Sequence, residues 1–294
     1  MNTHTIQTTI LRMILIAAIP SAAYGTQKIY WADECSGSIR RAPVDVINPV
    51  EVLVNGVASY GIAIDPSGRK MYWTDMNTGK IQSANLDGSN VKGIITDMDG
   101  PCGIGLDISA GKMYWTDFAG NIQRANLDVN NFEPLVTGIS WPHAIAIDPT
   151  AGKMYWTASD AYKIQRANLN GSGVEDLHTG VFSLGVAVDP TDGRYYWTDF
   201  EGGRIWRDGE VLLSGLGLTV SIAVDAESRR IYWLETDWDG MNTRIRYIED
   251  GSTVPQDAVT AGLCGLLVPI AVPEPATMGL LVLGGLAVIQ RRRR

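Results

Sequence analysis

A Tyr-Trp pair recurs six times along the chain, at Tyr30-Trp31, Tyr72-Trp73, Tyr114-Trp115, Tyr155-Trp156, Tyr196-Trp197 and Tyr232-Trp233. The tryptophans stand 42, 42, 41, 41 and 36 residues apart, so six units of about 41 residues fill the body from 26 to 272. Periods of this length belong to architectures in which each unit buries its apolar surface only against the next copy. Each unit reads as four short strands. Gly61-Ile62-Ala63-Ile64-Asp65 alternates small and β-branched residues, and recurs at Gly103 to Asp107, Ala144 to Asp148, Gly185 to Asp189 and Ser221 to Asp225. A Pro-Ser-Gly or Pro-Thr-Ala-Gly turn leads in several copies into the strand that holds the aromatic pair. A third strand such as Lys80 to Leu86 follows, and then a fourth, Val91 to Thr96. The short 36-residue interval coincides with Arg207-Asp208-Gly209-Glu210, a tighter hairpin between the third and fourth strands.

Four strands repeated six times predict an all-β fold, a six-bladed β-propeller of four-stranded antiparallel blades. Small residues on the first strand suit sheets that converge on an axis. Tyr and Trp on the second strand fill the widening gap between blades. The first unit begins at its second strand, Lys28-Ile29-Tyr30-Trp31, and Pro269-Ile270-Ala271-Val272 reads like Ser221-Ile222-Ala223-Val224. That last segment is expected to supply the missing inner strand and close the ring, removing exposed sheet edges.

The motif resembles the YWTD repeat of low-density-lipoprotein-receptor class B propellers, which are six-bladed. Intact copies stand at Tyr72-Trp73-Thr74-Asp75, Tyr114-Trp115-Thr116-Asp117 and Tyr196-Trp197-Thr198-Asp199, and the accompanying I-x-R-A pattern at Ile122 to Ala125 and Ile164 to Ala167. Ala32, Ala158 and Leu234-Glu235 depart from the motif, and Ser83 and Tyr247 stand where Arg is usual. Bracing between the motif Asp and that Arg is therefore expected to be incomplete. The repeated Tyr, Trp and Asp residues are expected to be structural.

The two ends read as addresses. Residues 1–25 have the form of a secretory signal: a lead-in ending at Arg12, an apolar run from Met13 to Ile19, and small residues Ala23 and Gly25 before a cleavage site ahead of Thr26. Residues 273–294 comprise Pro273-Glu274-Pro275, an apolar Gly-containing stretch over 276–289 and Arg291, Arg292, Arg293 and Arg294. As a helix that stretch is short of the hydrocarbon thickness, and the arginines belong on the cytoplasmic side. This end resembles the PEP-CTERM sorting signal of Gram-negative bacteria. The resemblance implies recognition of Pro273, Glu274 and Pro275 by an exosortase-type membrane protease. It also implies transient residence in the inner membrane, then the cell surface, periplasm or extracellular matrix.

The formal net charge of −8 argues against nucleic acid as a partner. Enzymatic propellers such as lactonases hold a metal at the channel mouth with carboxylates and amides near the starts of their inner strands. Those positions are Tyr60, Cys102, His143, Leu184, Val220 and Val268 here, and none is Asp, Glu, Asn or Gln. Asp65, Asp107, Asp148, Asp189 and Asp225 lie at the other end of the strand and are expected to bond turn amides. No catalytic residue, metal or cofactor is assigned. A propeller hydrolase and a purely structural matrix component stand as alternatives to a non-catalytic binding module for an extracellular protein, peptide or glycan. The loops entering each inner strand and those between second and third strands share one face. That face is expected to present Phe118, Trp141, His143, Phe200 and Trp238, with Asp97 and Asp160. Cys35 and Cys264 fall in loops of one blade, leaving a disulfide or free thiols open.

Overall fold

The computed structural model describes residues 16–19, 28–33, 36–43, 50–237, 243–259, 271–272, 280–283 and 286–289. Six antiparallel sheets stand around a common axis, as the sequence period predicts. Blade two runs Ser59–Asp65, Lys70–Asp75, Lys80–Asn85, Lys92–Ile95 from the axis outward. Blades three to six begin at Pro101–Asp107, Pro142–Asp148, Val186–Val188 and Leu218–Asp225 and repeat that order. Inner strands are buried along their whole length, since both sheet faces meet neighbouring blades. All six repeat tryptophans are fully buried in the gaps between blades.

The threonine of the YWTD motif ties blade to blade. A register irregularity in the inner strand frees the Gly61 amide, which donates to Thr74 Oγ1 at 2.7 Å, and Thr74 Oγ1 in turn donates to the Cys102 carbonyl of blade three. Thr116 accepts from Gly103 at 2.8 Å and donates to His143 of blade four at 2.7 Å. Thr198 repeats the pattern with Gly185 and with Val220 of blade six. Each hydroxyl thus satisfies a buried donor and a buried acceptor that the ladders leave over.

In blades two and three the motif aspartate braces the third strand through a glutamine, whereas Asp33 pairs with Arg40 at 3.2 Å and Asp199 with Arg204 at 3.7 Å, so bracing by the arginine of the I-x-R-A pattern is incomplete. Gln82 donates to Asp75 at 2.9 Å and Gln123 to Asp117 at 2.6 Å. Arg124 and Arg166 of the I-x-R-A pattern lie one residue beyond the glutamine and face the other side of the strand. Arg124 therefore reaches Glu133 and the Leu169 carbonyl of the next blade while covering the Tyr114 ring. Asp65, Asp107, Asp148, Asp189 and Asp225 accept turn amides from Gly68, Ala110, Ala151, Thr191 and Glu227, as expected.

Both chain ends reach blade one. Ile16 lies opposite Trp31 and Ile19 opposite Lys28, the register that Ile222 and Asp225 hold against Trp233 and Arg230 in blade six. Ala271 and Val272 lie opposite Ile29 and Lys28, one residue away from that register. The expected closing strand is thus present as a two-residue pairing, and the inner register belongs to the N-terminal segment. Ile16-Ala17-Ala18-Ile19 and Ile270-Ala271-Val272 share small and β-branched residues, so both suit the same slot, and the longer segment forms more pairs. The stretch over 276–289 was expected to be helical. Its described pieces, Leu280–Leu283 and Leu286–Ile289, are strands paired with each other, and Leu281 and Val282 lie opposite Asp107 and Leu106. A lone helix satisfies its own backbone in hydrocarbon, whereas beside a sheet the same apolar residues pair with strands. Ala23, Gly25, Thr26, Cys35, Trp238, Cys264, Pro273 to Pro275 and Arg291 to Arg294 lie outside the described residues.

Candidate functional site

In blades one to five the loop leaving the outer strand and the loop between second and third strands are hydrogen-bonded together on one face. Val57 donates to Gly37, Met98 to Gly79, Ile139 to Gly120 and Leu216 to Gly203, all at 2.9–3.0 Å. On entering the next blade the chain makes a second repeated bond: Met76 donates to Ala58, Phe118 to Gly100, Ser159 to Trp141 and Phe200 to Phe182. These two bonds give equivalent seats around the mouth of the ring, and what fills them differs from blade to blade.

Blade four carries a left-handed aromatic residue in both seats. Gly37, Gly79, Gly120 and Gly203 hold one seat in left-handed backbone, and Tyr162 holds it in blade four with φ 54°. Gly100 holds the other seat in blade three with φ 57°, where blade four has Trp141 at φ 48°. A non-glycine residue in this conformation is strained by roughly 1–2 kcal/mol, and such strain concentrates where a side chain has a task. The bulk is exchanged locally. A Cβ on Gly100 would meet Phe118 Cδ2 at 2.7 Å, whereas the partner of Trp141 is the small Ser159.

These choices assemble a band of rings across blades two to five. Phe118 stacks on Trp141 with centroids 6.3 Å apart, and Trp141 meets Phe182 at 6.1 Å. Phe182 in turn meets Tyr162 at 5.7 Å and Phe200 at 5.9 Å. On the axis side Tyr60 approaches Phe118 at 6.0 Å and His143 at 5.8 Å. The structure therefore brings Phe118, Trp141, His143 and Phe200 together. Phe118 and Trp141 are partly exposed, but His143 and Phe200 are buried, which corrects the expectation that all four are displayed. Phe200 is covered by Phe182, and His143 lies against Trp141 and Tyr60. Phe182 and Tyr162 were missed in the sequence. Their only signal is positional: each stands in a loop seat that several other blades fill with a smaller residue.

His143 Nδ1 donates to the Leu184 carbonyl of blade five at 3.0 Å. A carbonyl only accepts, so the proton sits on Nδ1 and Nε2 is left as an acceptor, buried and without a partner. Burial pushes its pKa down from 6.5 to about 4, keeping the ring neutral. Asp97, Asp99, Asp160 and Glu201 are exposed on the loops around this band. Among the described residues no three His, Cys, Asp or Glu side chains gather in a metal-binding group.

The family model for the low-density lipoprotein receptor repeat class B matches residues 69–104, and that for the PEP-CTERM protein-sorting motif matches residues 271–294. The chain therefore carries a class B repeat within a six-bladed propeller and ends in a sorting motif of exported, membrane-sorted bacterial proteins. No curated protein matches the sequence. Among solved structures, one in a nidogen/laminin complex is similar with TM-score 0.73 and 22% identity, over 83% of this chain and 98% of that one. A catalytically inactive virginiamycin B lyase from Staphylococcus aureus with quinupristin is similar with TM-score 0.60 and 13% identity, over 94% of both chains. A selenomethionine form of that lyase aligns with TM-score 0.59 and 15% identity, over 85% of both chains. These identities establish the shared propeller fold.

Proposed function

We propose that this chain is an exported bacterial protein whose propeller binds an extracellular protein, peptide or glycan without transforming it, and that an exosortase-type protease processes it at Pro273-Glu274-Pro275. The observation that carries the binding reading is the pair of aromatic side chains, Trp141 and Tyr162, in left-handed backbone at one face. Core packing gives no reason for this at Tyr162, which is 44% exposed. Rigid aromatic anchors beside a polar rim suit macromolecular recognition, and loops on a rigid scaffold are where binding residues concentrate. The similar propeller in the nidogen/laminin complex adds support for a protein partner. The test is capture of saturable ligands by the exported protein and by a Trp141→Ala/Phe118→Ala variant. Binding that survives both substitutions would refute the reading.

A second reading, a propeller lyase or hydrolase, rests on the acceptor Nε2 of His143 at the mouth and on the fold shared with virginiamycin B lyase. An imidazole with a fixed Nδ1 proton can take a proton at Nε2. Turnover of cyclic esters or lactones that is lost in His143→Gln would favour this reading over binding alone.

A further inference from the structure

We propose that the aromatic face receives a cationic side chain, the ammonium or guanidinium of a basic peptide, which resolves the partner class left open by the binding reading on which it rests. Four observations converge on that chemistry. Faces of aromatic rings attract cations, and Phe118, Trp141, Phe182 and Tyr162 form a continuous band with centroid separations of 5.7–6.3 Å. The loops that carry the band, 96–100, 118–120, 137–141, 159–162, 180–183 and 200–203, hold Asp97, Asp99, Asp160 and Glu201 and not one Lys or Arg. His143 Nε2 is an unpartnered acceptor against Trp141, itself 2% exposed, and fits a donating N–H. The opposite face is built differently: there Arg194, Arg207 and Arg229 gather on Asp250 at 3.4–3.8 Å.

Three basic residues near the band are already engaged: Lys163 pairs with Asp176 at 2.7 Å, Arg204 with Asp199 at 3.7 Å and Arg244 with Glu235 at 2.8 Å. The exposed carboxylates Asp97, Asp99, Asp160 and Glu201 take no part in these pairs, which suits an external cation. An anionic ligand would meet those four charges with no compensating guanidinium on the same loops. A neutral ligand would use the rings and leave the acidic rim idle.

The test measures binding of three peptides to the full exported protein: one with a central lysine, the same with that lysine Nε-acetylated, and one with glutamate in its place. Calorimetry should show the lysine peptide binding at least about tenfold more tightly than the other two, in line with cation–π and carboxylate attraction. Asp97→Asn/Asp160→Asn should weaken it and flatten its salt dependence. Tyr162→Gly, which suits the left-handed backbone and so keeps the fold, should weaken it as well. Equal binding of lysine and acetyl-lysine peptides that still depends on Trp141 would overturn the cationic class and leave the binding face standing. Absence of any lysine-peptide binding would overturn the cationic class, and only loss of Trp141-dependent binding to every protein and glycan would remove the face.

Discussion

Tyr162 accepts the Val181 amide at 3.4 Å through its backbone carbonyl, in the seat where Gly37, Gly79, Gly120 and Gly203 accept the amides of Val57, Met98, Ile139 and Leu216, and it accepts the Gly180 amide at 2.8 Å as well. The seat is the same, although its bond to the equivalent amide is longer, and the side chain is foreign. Tyr162→Gly should therefore leave stability within about 1 kcal/mol, because relief of left-handed strain offsets the modest contact with Phe182 and the added freedom of glycine in the unfolded chain. Ligand binding should nevertheless fall. Denaturant melts and binding on one preparation decide this, and a large destabilisation would show that Tyr162 is there for packing.

Thr116 and Thr157 occupy the same motif position and should differ in mutational cost. Thr116 serves the Gly103 amide and the His143 carbonyl, whereas Thr157 takes only the Ala144 amide at 3.0 Å. In the step from blade four to five, His143 Nδ1 and Ser159 Oγ make the crossing bonds, to Leu184 and Ser183. Thr116→Val leaves two buried backbone groups unmet, about 2–5 kcal/mol, and Thr157→Val one, about 1–3 kcal/mol. Equal losses in urea melts would contradict the role assigned to the hydroxyl.

The ring was legible because every blade must bury the same Tyr-Trp pair in the same gap, and a 41-residue period with strand-length apolar runs admits few other folds. The turn aspartates were legible for the same reason, since an Asp before Pro-x-Gly has one local use. The threonine bridges were not. A threonine in a strand reads as an ordinary β-former, and its partners, such as Cys102 and His143, lie in the next unit. The aromatic face was half legible. Phe118 and Trp141 stand out as aromatics in loops, but the depth of Phe200 depends on Phe182, which no motif marks.

His143 should make stability fall with acid over a defined window. Its folded pKa of about 4 lies below the ordinary 6.5, because burial disfavours the charged ring. Above pH 6.5 both folded and unfolded forms are neutral and stability is complete. As pH falls from 6.5 toward 4 the unfolded chain takes up a proton that the folded one refuses, a loss approaching about 3 kcal/mol. Comparing urea melts at pH 7.5 and 4.5 in the wild type and in His143→Gln isolates this share. Identical pH dependence in the two would show that His143 titrates normally.

Closure of the ring should depend on which terminus is present. Ile16 to Ile19 and Ala271 to Val272 both pair with Lys28 and Ile29. We propose that residues 1–25 are removed as a secretory signal, which would leave Ala271 to Val272 to cover the inner edge of blade one. A mature chain lacking 266–294 as well should unfold at lower temperature than one retaining them, because an uncovered edge opens the propeller. Equal melting temperatures would mean that the first blade closes by other means.

The sorting motif yields the last prediction. Residues 271–294 match the PEP-CTERM model, and Pro273-Glu274-Pro275 follow directly on the strand Ala271–Val272. Each proline fixes φ and lacks an amide donor, so the triplet can neither extend that strand nor begin as regular helix interior. A triplet with two prolines disfavours both strand pairing and helix, which suits binding in a protease cleft. Replacing all three with alanine should restore amide donors and helical freedom, and the protein should stay in the membrane with its tail uncut. Mass spectrometry of the exported form reads the outcome. A wild-type species that keeps 280–294 would remove processing and leave an ordinary tail anchor.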